Sequence, residues 1–185
     1  MQAFDRLFLN TLNGCCRLRY PALTRKFVEQ QKRIPDIALP RDYYERMQWR
    51  KIFDRNPLFV TFCDKLATKD YLAKAVPKLR IPKTLWSGRT FAQMPRDVLA
   101  GNVVVKTNHG SSYNYFVRDG RYDPAALSRA TRKWMVKRAY GRETAELAYL
   151  QVPPQLFVEE MLLPSSGELV ELNIRAGNGR IAYGN

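Results

Sequence analysis

The spacing of apolar and polar positions divides the chain into a helical first half and a mixed second half. Phe4, Leu7, Phe8 and Leu12 recur at intervals of three and four, which predicts a helix over residues 1–20 with Gly14 as its stop. A basic stretch interrupted by Pro21, Pro35 and Pro40 predicts a short helix over residues 23–32 and then a connector. Asp42 stands where it can cap a helix through Glu45, Met47, Trp49 and Ile52. Asn56-Pro57 ends that helix, because the residue before proline avoids helical backbone. Asp64 is a second such cap, opening a helix over residues 65–76 whose apolar surface would come from Leu66, Tyr71, Leu72, Ala75 and Val76.

From residue 81 the period shortens. Residues 81–86 predict a strand, Ser87-Gly88 a turn, and residues 91–99 a short helix or irregular segment broken by Pro95. Val103, Val104 and Val105 make a short buried strand that ends on Lys106 and runs into Thr107-Asn108-His109-Gly110-Ser111-Ser112. A return strand over 113–118 closes on the hairpin signal Asp119-Gly120. Asp123-Pro124 opens a helix that should continue to Tyr140 and stop at Gly141. Leu127, Ala130 and Trp134 form its apolar stripe, with Arg129, Arg132, Lys133, Lys137 and Arg138 around the remainder. Beyond Pro153-Pro154, residues 155–163 predict a strand and connector. Residues 169–183 predict a hairpin turning at Gly177-Asn178-Gly179. The class is therefore α+β, helices with a small antiparallel sheet, without internal repeats.

Composition narrows the chemistry. The chain has 185 residues, 45% of them apolar, enough to bury a core, and no apolar run long enough to cross a bilayer. Cys15, Cys16 and Cys63 are an odd set without metal-ligand spacing, which suits a reducing cytoplasm. Charge is the strongest compositional fact: +14 overall, with 29 basic and 11 acidic residues before position 143 and 2 against 6 after it. Such a field attracts polyanions, whether nucleic acid, nucleotides, acidic lipid headgroups or an acidic polysaccharide.

Three groups could carry chemistry. Lys106 and the turn after it combine a fixed cation with backbone N–H groups and the Ser111 and Ser112 hydroxyls, an arrangement suited to polyphosphate. The same pattern also fits a hairpin with a solvated lysine. Lys65, at the start of its helix, could point into the same cleft, so that two ammonium groups neutralise a triphosphate. No glycine-rich loop ends in Gly-Lys-Ser or Gly-Lys-Thr, so the P-loop class is excluded. Glu159-Glu160 and the connector at Met161-Leu162 could hold an adenine through backbone groups, or could be two solvated glutamates at a strand end. His109 is the one histidine, which excludes a multi-histidine metal site.

In order along the chain, Asn56-Pro57-Leu58, Asp64-Lys65, Lys69-Asp70-Tyr71-Leu72, Lys106-Thr107-Asn108-His109-Gly110-Ser111, Glu146 with Tyr149, and Val158-Glu159-Glu160 resemble the TupA-like ATP-grasp family, named for a teichuronopeptide biosynthesis ligase. Glu45-Arg46-Met47-Gln48-Trp49-Arg50-Lys51 is similar to the family's lead-in. The likeness spans residues 41–180, and Lys-Thr-Asn-His-Gly-Ser is its most specific piece.

Residues 1–40 read as a basic N-terminal helical segment and connector; for the rest, the resemblance implies an ATP-grasp nucleotide-clasping lobe over 41–163 and the start of a second, truncated lobe over 164–185. It implies a cytoplasmic ATP-dependent carboxylate–amine ligase that makes an acyl-phosphate for attack by an amine, in cell-surface polysaccharide or peptide-polymer assembly. Lys65 and Lys106 would hold the phosphates of Mg-ATP. His109, Gly110, Ser111 and Ser112 would form the phosphate loop, and Glu159, Glu160 and the backbone near Leu162 would hold adenine and ribose. The acceptor would be an acidic or carboxylate-bearing envelope polymer, with a peripheral contact at the inner face of the membrane and no specific nucleic acid. Two positions depart from the family: Leu147 where tryptophan is usual, and Asn173 where lysine is. The Mg2+ ligands are expected beyond the chain end. The competing expectation is a non-catalytic module that binds nucleic acid or anionic membrane through Arg132, Lys133 and Lys137.

Overall fold

The computed structural model describes residues 3–136, 141–164, 167, 170–177 and 179–184, the backbone alone at 175–177 and 182–184. It is a mixed α+β chain. Five helices come first: α1 (Ala3–Arg19), α2 (Pro21–Gln31), α3 (Tyr43–Phe53), α4 (Leu58–Cys63) and α5 (Lys65–Ala75). A sixth, α6 (Pro124–Val136), lies between the strands β1 (Thr84–Gly88), β2 (Val103–Thr107) and β3 (Asn114–Val117) and the strand β4 (Leu156–Glu160). The four strands form one antiparallel sheet in the order β1-β4-β2-β3. A separate two-stranded ribbon pairs β5 (Ile174–Gly177) with β6 (Arg180–Gly184). Among the described residues, no helix is long and apolar enough to cross a membrane.

Period-two alternation sorts the central strands. Val103, Val105 and Val158 point to one face, where Val117, Leu127 of α6, Met94 and Leu99 complete a dry core. Val104, Lys106, Phe157 and Glu159 point to the other, with Val104 directly across from Glu159 and Lys106 from Phe157. A second core joins Cys16 and Leu23 to Ile37, Ile52 and Ala145. Buried Glu45 organises the connector here: its carboxylate accepts the Asp36 N–H at 2.9 Å, the Arg41 N–H at 2.8 Å and a guanidinium bond from Arg33. Burial opposes its ionisation, but those bonds outweigh burial and hold its pKa below the ordinary glutamate value.

The expected caps are present. Asp42 accepts the Glu45 N–H, Asp64 those of Leu66 and Ala67, and Asp123 those of Ala125 and Ala126. Four expectations need correction. Gly14 does not stop α1, which continues to Arg19. Asn13 accepts the Ile37 and Ala38 N–H groups and Cys16 enters the core, and this anchoring outweighs the glycine penalty of about 1 kcal/mol. The segment after Pro57 is a helix, α4, that the sequence reading did not include. Ser87-Gly88 belongs to β1 rather than to a turn; a Cβ on Gly88 would meet the Trp86 ring at 2.3 Å, so a larger residue there would have to displace that ring. No residue of α5 is buried: Tyr71, Ala75 and Val76 are exposed, because the helix meets the sheet through its lysines. Residues 137–140, including Lys137 and Arg138 of the expected basic stripe, and Asn178 of the expected turn lie outside the described residues.

Candidate functional site

The charged face of the sheet and the start of α5 form one cluster. Glu159 is only 6% exposed, yet it carries two ion pairs: Lys106 Nζ lies 2.5 Å from Oε1 and Lys69 Nζ 2.6 Å from Oε2. Lys69 also donates to the Pro82 carbonyl at 2.7 Å and the Thr84 hydroxyl at 3.1 Å, and its ammonium sits 5.5 Å from the centre of the Phe157 ring. The buried ring lies beneath the cluster. Charge-assisted bonds of this kind are among the stronger ones, and a carboxylate shared by two ammonium groups leaves one net positive charge.

Lys65 completes the cluster from the helix end. Its backbone N–H donates to the Asn108 carbonyl at 2.9 Å and its ammonium to the Gly110 carbonyl at 2.7 Å. Burial, and then the Lys106 charge, push the Lys65 ammonium below its ordinary pKa, against a partial pull from Asp64 and Glu159. The Lys106 ammonium thus lies close enough to Lys65 to disfavour its charge.

The turn is built from Asn108. Its backbone N–H donates to the Gln155 carbonyl at 3.0 Å, its side-chain oxygen accepts the Gln155 N–H at 2.8 Å, and its amide donates to the Pro153 carbonyl at 3.0 Å. The Thr107 hydroxyl closes the bend on the His109 carbonyl at 2.6 Å. Gly110 (φ 74°) and Ser112 (φ 63°) both take left-handed backbone, which glycine adopts freely and serine at some cost. Ser111 and Ser112 are exposed at the tip.

The structure therefore brings together Lys65, Lys106, Gly110 and Glu159. Glu160 faces away from them and accepts the Lys83 N–H at 3.2 Å, as strand alternation requires of neighbouring residues. Leu162 is exposed on the connector, where the preceding Met161 N–H donates to the Asn102 carbonyl. His109 is buried behind the turn, its ring edge-on to Tyr113, which stacks on Trp134. Burial, and then the Lys65 charge, lower its pKa. It lines a cavity of about 420 Å³ with Arg89, Tyr149 and Pro153, separate from the lysine cluster. A larger cavity, about 830 Å³, lies between α3, α4 and the 3-10 turn Leu147–Gln151, beside the Lys51–Glu146 ion pair at 3.6 Å.

The sequence reading missed Lys69 as a member of the site; Lys65 and Lys69 lie four apart on one helix face, and that spacing was the available signal. Among the described residues, no group of three or more histidine, cysteine or acidic side chains could hold a metal ion. The one buried carboxylate of the cluster is already shared by two lysines. Comparison of the chain with family models, with curated protein sequences and with solved structures gives no match.

Proposed function

We propose that the lysine cluster and the 107–112 turn are the phosphate-binding part of an ATP site, in a chain of ATP-grasp-ligase type. One observation carries this reading: Lys69 and Lys106 pair with the buried Glu159 carboxylate, and Lys65, 41 residues before Lys106 in sequence, is tied beside them to the carbonyl of left-handed Gly110. A triphosphate suits that place because it satisfies the surplus cations, and the exposed Ser111–Ser112 tip can close over it. Glu159 orients Lys106 and Lys69 toward it. In the reaction of such a ligase, the γ-phosphoryl group passes to a carboxylate oxygen, releasing ADP. An amine then attacks the acyl carbon and expels phosphate. Residues of this chain bind and orient the nucleotide; Mg2+ would supply charge neutralisation in the transfer, and no step here is assigned to it. The substrate class in this reading is a carboxylate-bearing envelope precursor and an amine.

The test is nucleotide binding by calorimetry in the presence of Mg2+. Lys106→Ala should weaken ATP about tenfold or more, as expected for loss of one charge-assisted bond to phosphate. Unchanged affinity would defeat the reading. A second reading, polyanion binding by exposed Arg129, Arg132 and Lys133 of α6, predicts binding that salt abolishes and that ATP does not displace.

A further inference from the structure

The outer face of α1 is independent of the nucleotide reading. Phe4, Leu7, Phe8, Thr11, Cys15 and Leu18 fall within about 100° of the helix circumference at 3.6 residues per turn. All six are exposed, Phe4 at 77% and Leu18 at 85%. The opposite face is pinned to the body. Asn13 binds the Ile37 and Ala38 N–H groups, its amide donates to Asp36, Arg17 donates to the Pro35 carbonyl at 3.1 Å, and Cys16 is in the core. The helix cannot roll to hide its outer stripe without breaking those bonds.

We infer that α1 is an interfacial membrane helix, which lies flat on an anionic lipid surface with Phe4, Leu7, Phe8 and Leu18 in the headgroup–acyl boundary. Charge complementarity selects this occupant. Residues 1–32 carry six basic and two acidic side chains, and Arg19 at the end of α1 and Arg25 and Lys26 of α2 are exposed. Arg19 borders the apolar stripe itself. An apolar stripe about 20 Å long with a basic margin is the pattern of helices that lie in the interface, where apolar burial and attraction to anionic headgroups add. A second copy of the chain, itself carrying +14, would meet repulsion at that basic margin.

Co-sedimentation with vesicles of phosphatidylcholine plus phosphatidylserine, and of phosphatidylcholine alone, tests this. The full chain should pellet with the anionic vesicles and much less with the neutral ones, and salt should weaken the binding. Phe4→Ser/Phe8→Ser should reduce vesicle affinity about tenfold or more. Both positions are exposed, so its circular dichroism spectrum and ATP affinity should match those of the parent. No binding to anionic vesicles overturns the inference. So does binding that the double substitution leaves unchanged, because the basic surface alone would then explain it. A parent chain that ignores vesicles but self-associates in gel filtration, with the double variant monomeric, assigns the stripe to a second copy and also overturns it. None of these outcomes bears on the Lys106→Ala test.

Discussion

The two faces of the central sheet are made by the same strands and do opposite things. On one, Val103, Val105 and Val158 meet Leu127 and Leu99 in an apolar core. On the other, one residue further along each strand, Lys106 and Glu159 face Lys69 and Lys65. Packing of the first face makes the backbone rigid. That rigidity lets the second hold like charges close together, which a looser scaffold would relax by letting them drift into water. The contrast teaches where the apolar packing and the paired charges reside: in alternate residues of β2 and β4, not in separate regions.

Substitutions can break or sharpen that contrast. The largest effect belongs to the dry face: Leu127→Ala should lower unfolding free energy by about 2–5 kcal/mol, measured by urea titration, through transfer loss and a cavity. ATP affinity of the folded fraction should hardly change. On the charged face, Glu159→Gln leaves two ammonium groups sharing an amide and should cost about 1–3 kcal/mol. Unlike the core effect, this loss should shrink when ATP or salt is added, because either supplies the missing negative charge. If Glu159→Gln is as insensitive to salt as Leu127→Ala, the cluster is not electrostatic. The smallest effect concerns the turn at the end of β2. His109 has a lowered pKa in the folded chain, so the unfolded chain takes up a proton first as pH falls. Stability contributed by neutral His109 is thus full above an ordinary histidine value of about 6.5 and declines as pH falls from there toward the folded pKa. It is the one histidine, so His109→Gln should flatten that part of the pH–stability curve, read by thermal melts between neutral and mildly acidic buffer.

Local signals were legible in the sequence and long-range ones were not. Asp42, Asp64 and Asp123 announced their helices because a capping carboxylate acts within three residues. Val103–Val105 announced β2 for the same local reason. Leu58–Cys63 carries no period, and Asn56-Pro57 reads equally as the stop of α3 and as the start of α4; in the structure the Asn56 side-chain oxygen accepts the Leu58 N–H at 3.0 Å. Gly14 misled because the bonds that keep α1 helical come from Ile37 and Ala38, more than twenty residues away. Within the site, Lys65 and Lys106 were singled out from their positions at element ends. Lys69 stood out only once the strand order β1-β4-β2-β3 brought Glu159 beneath α5. The division of labour between Glu159 and Glu160 follows from alternation, once the last residues of β4 are known to be strand.

The tether between Lys65 and the Gly110 carbonyl has a consequence for timing. In the nucleotide reading proposed above, the cation that ties down the bend is also one that a polyphosphate would recruit, so an arriving anion would draw Lys65 from the Gly110 carbonyl while giving the bend a new centre to wrap around. The same ammonium would then be clasp before capture and ligand after it, and movement of the bend would follow occupancy.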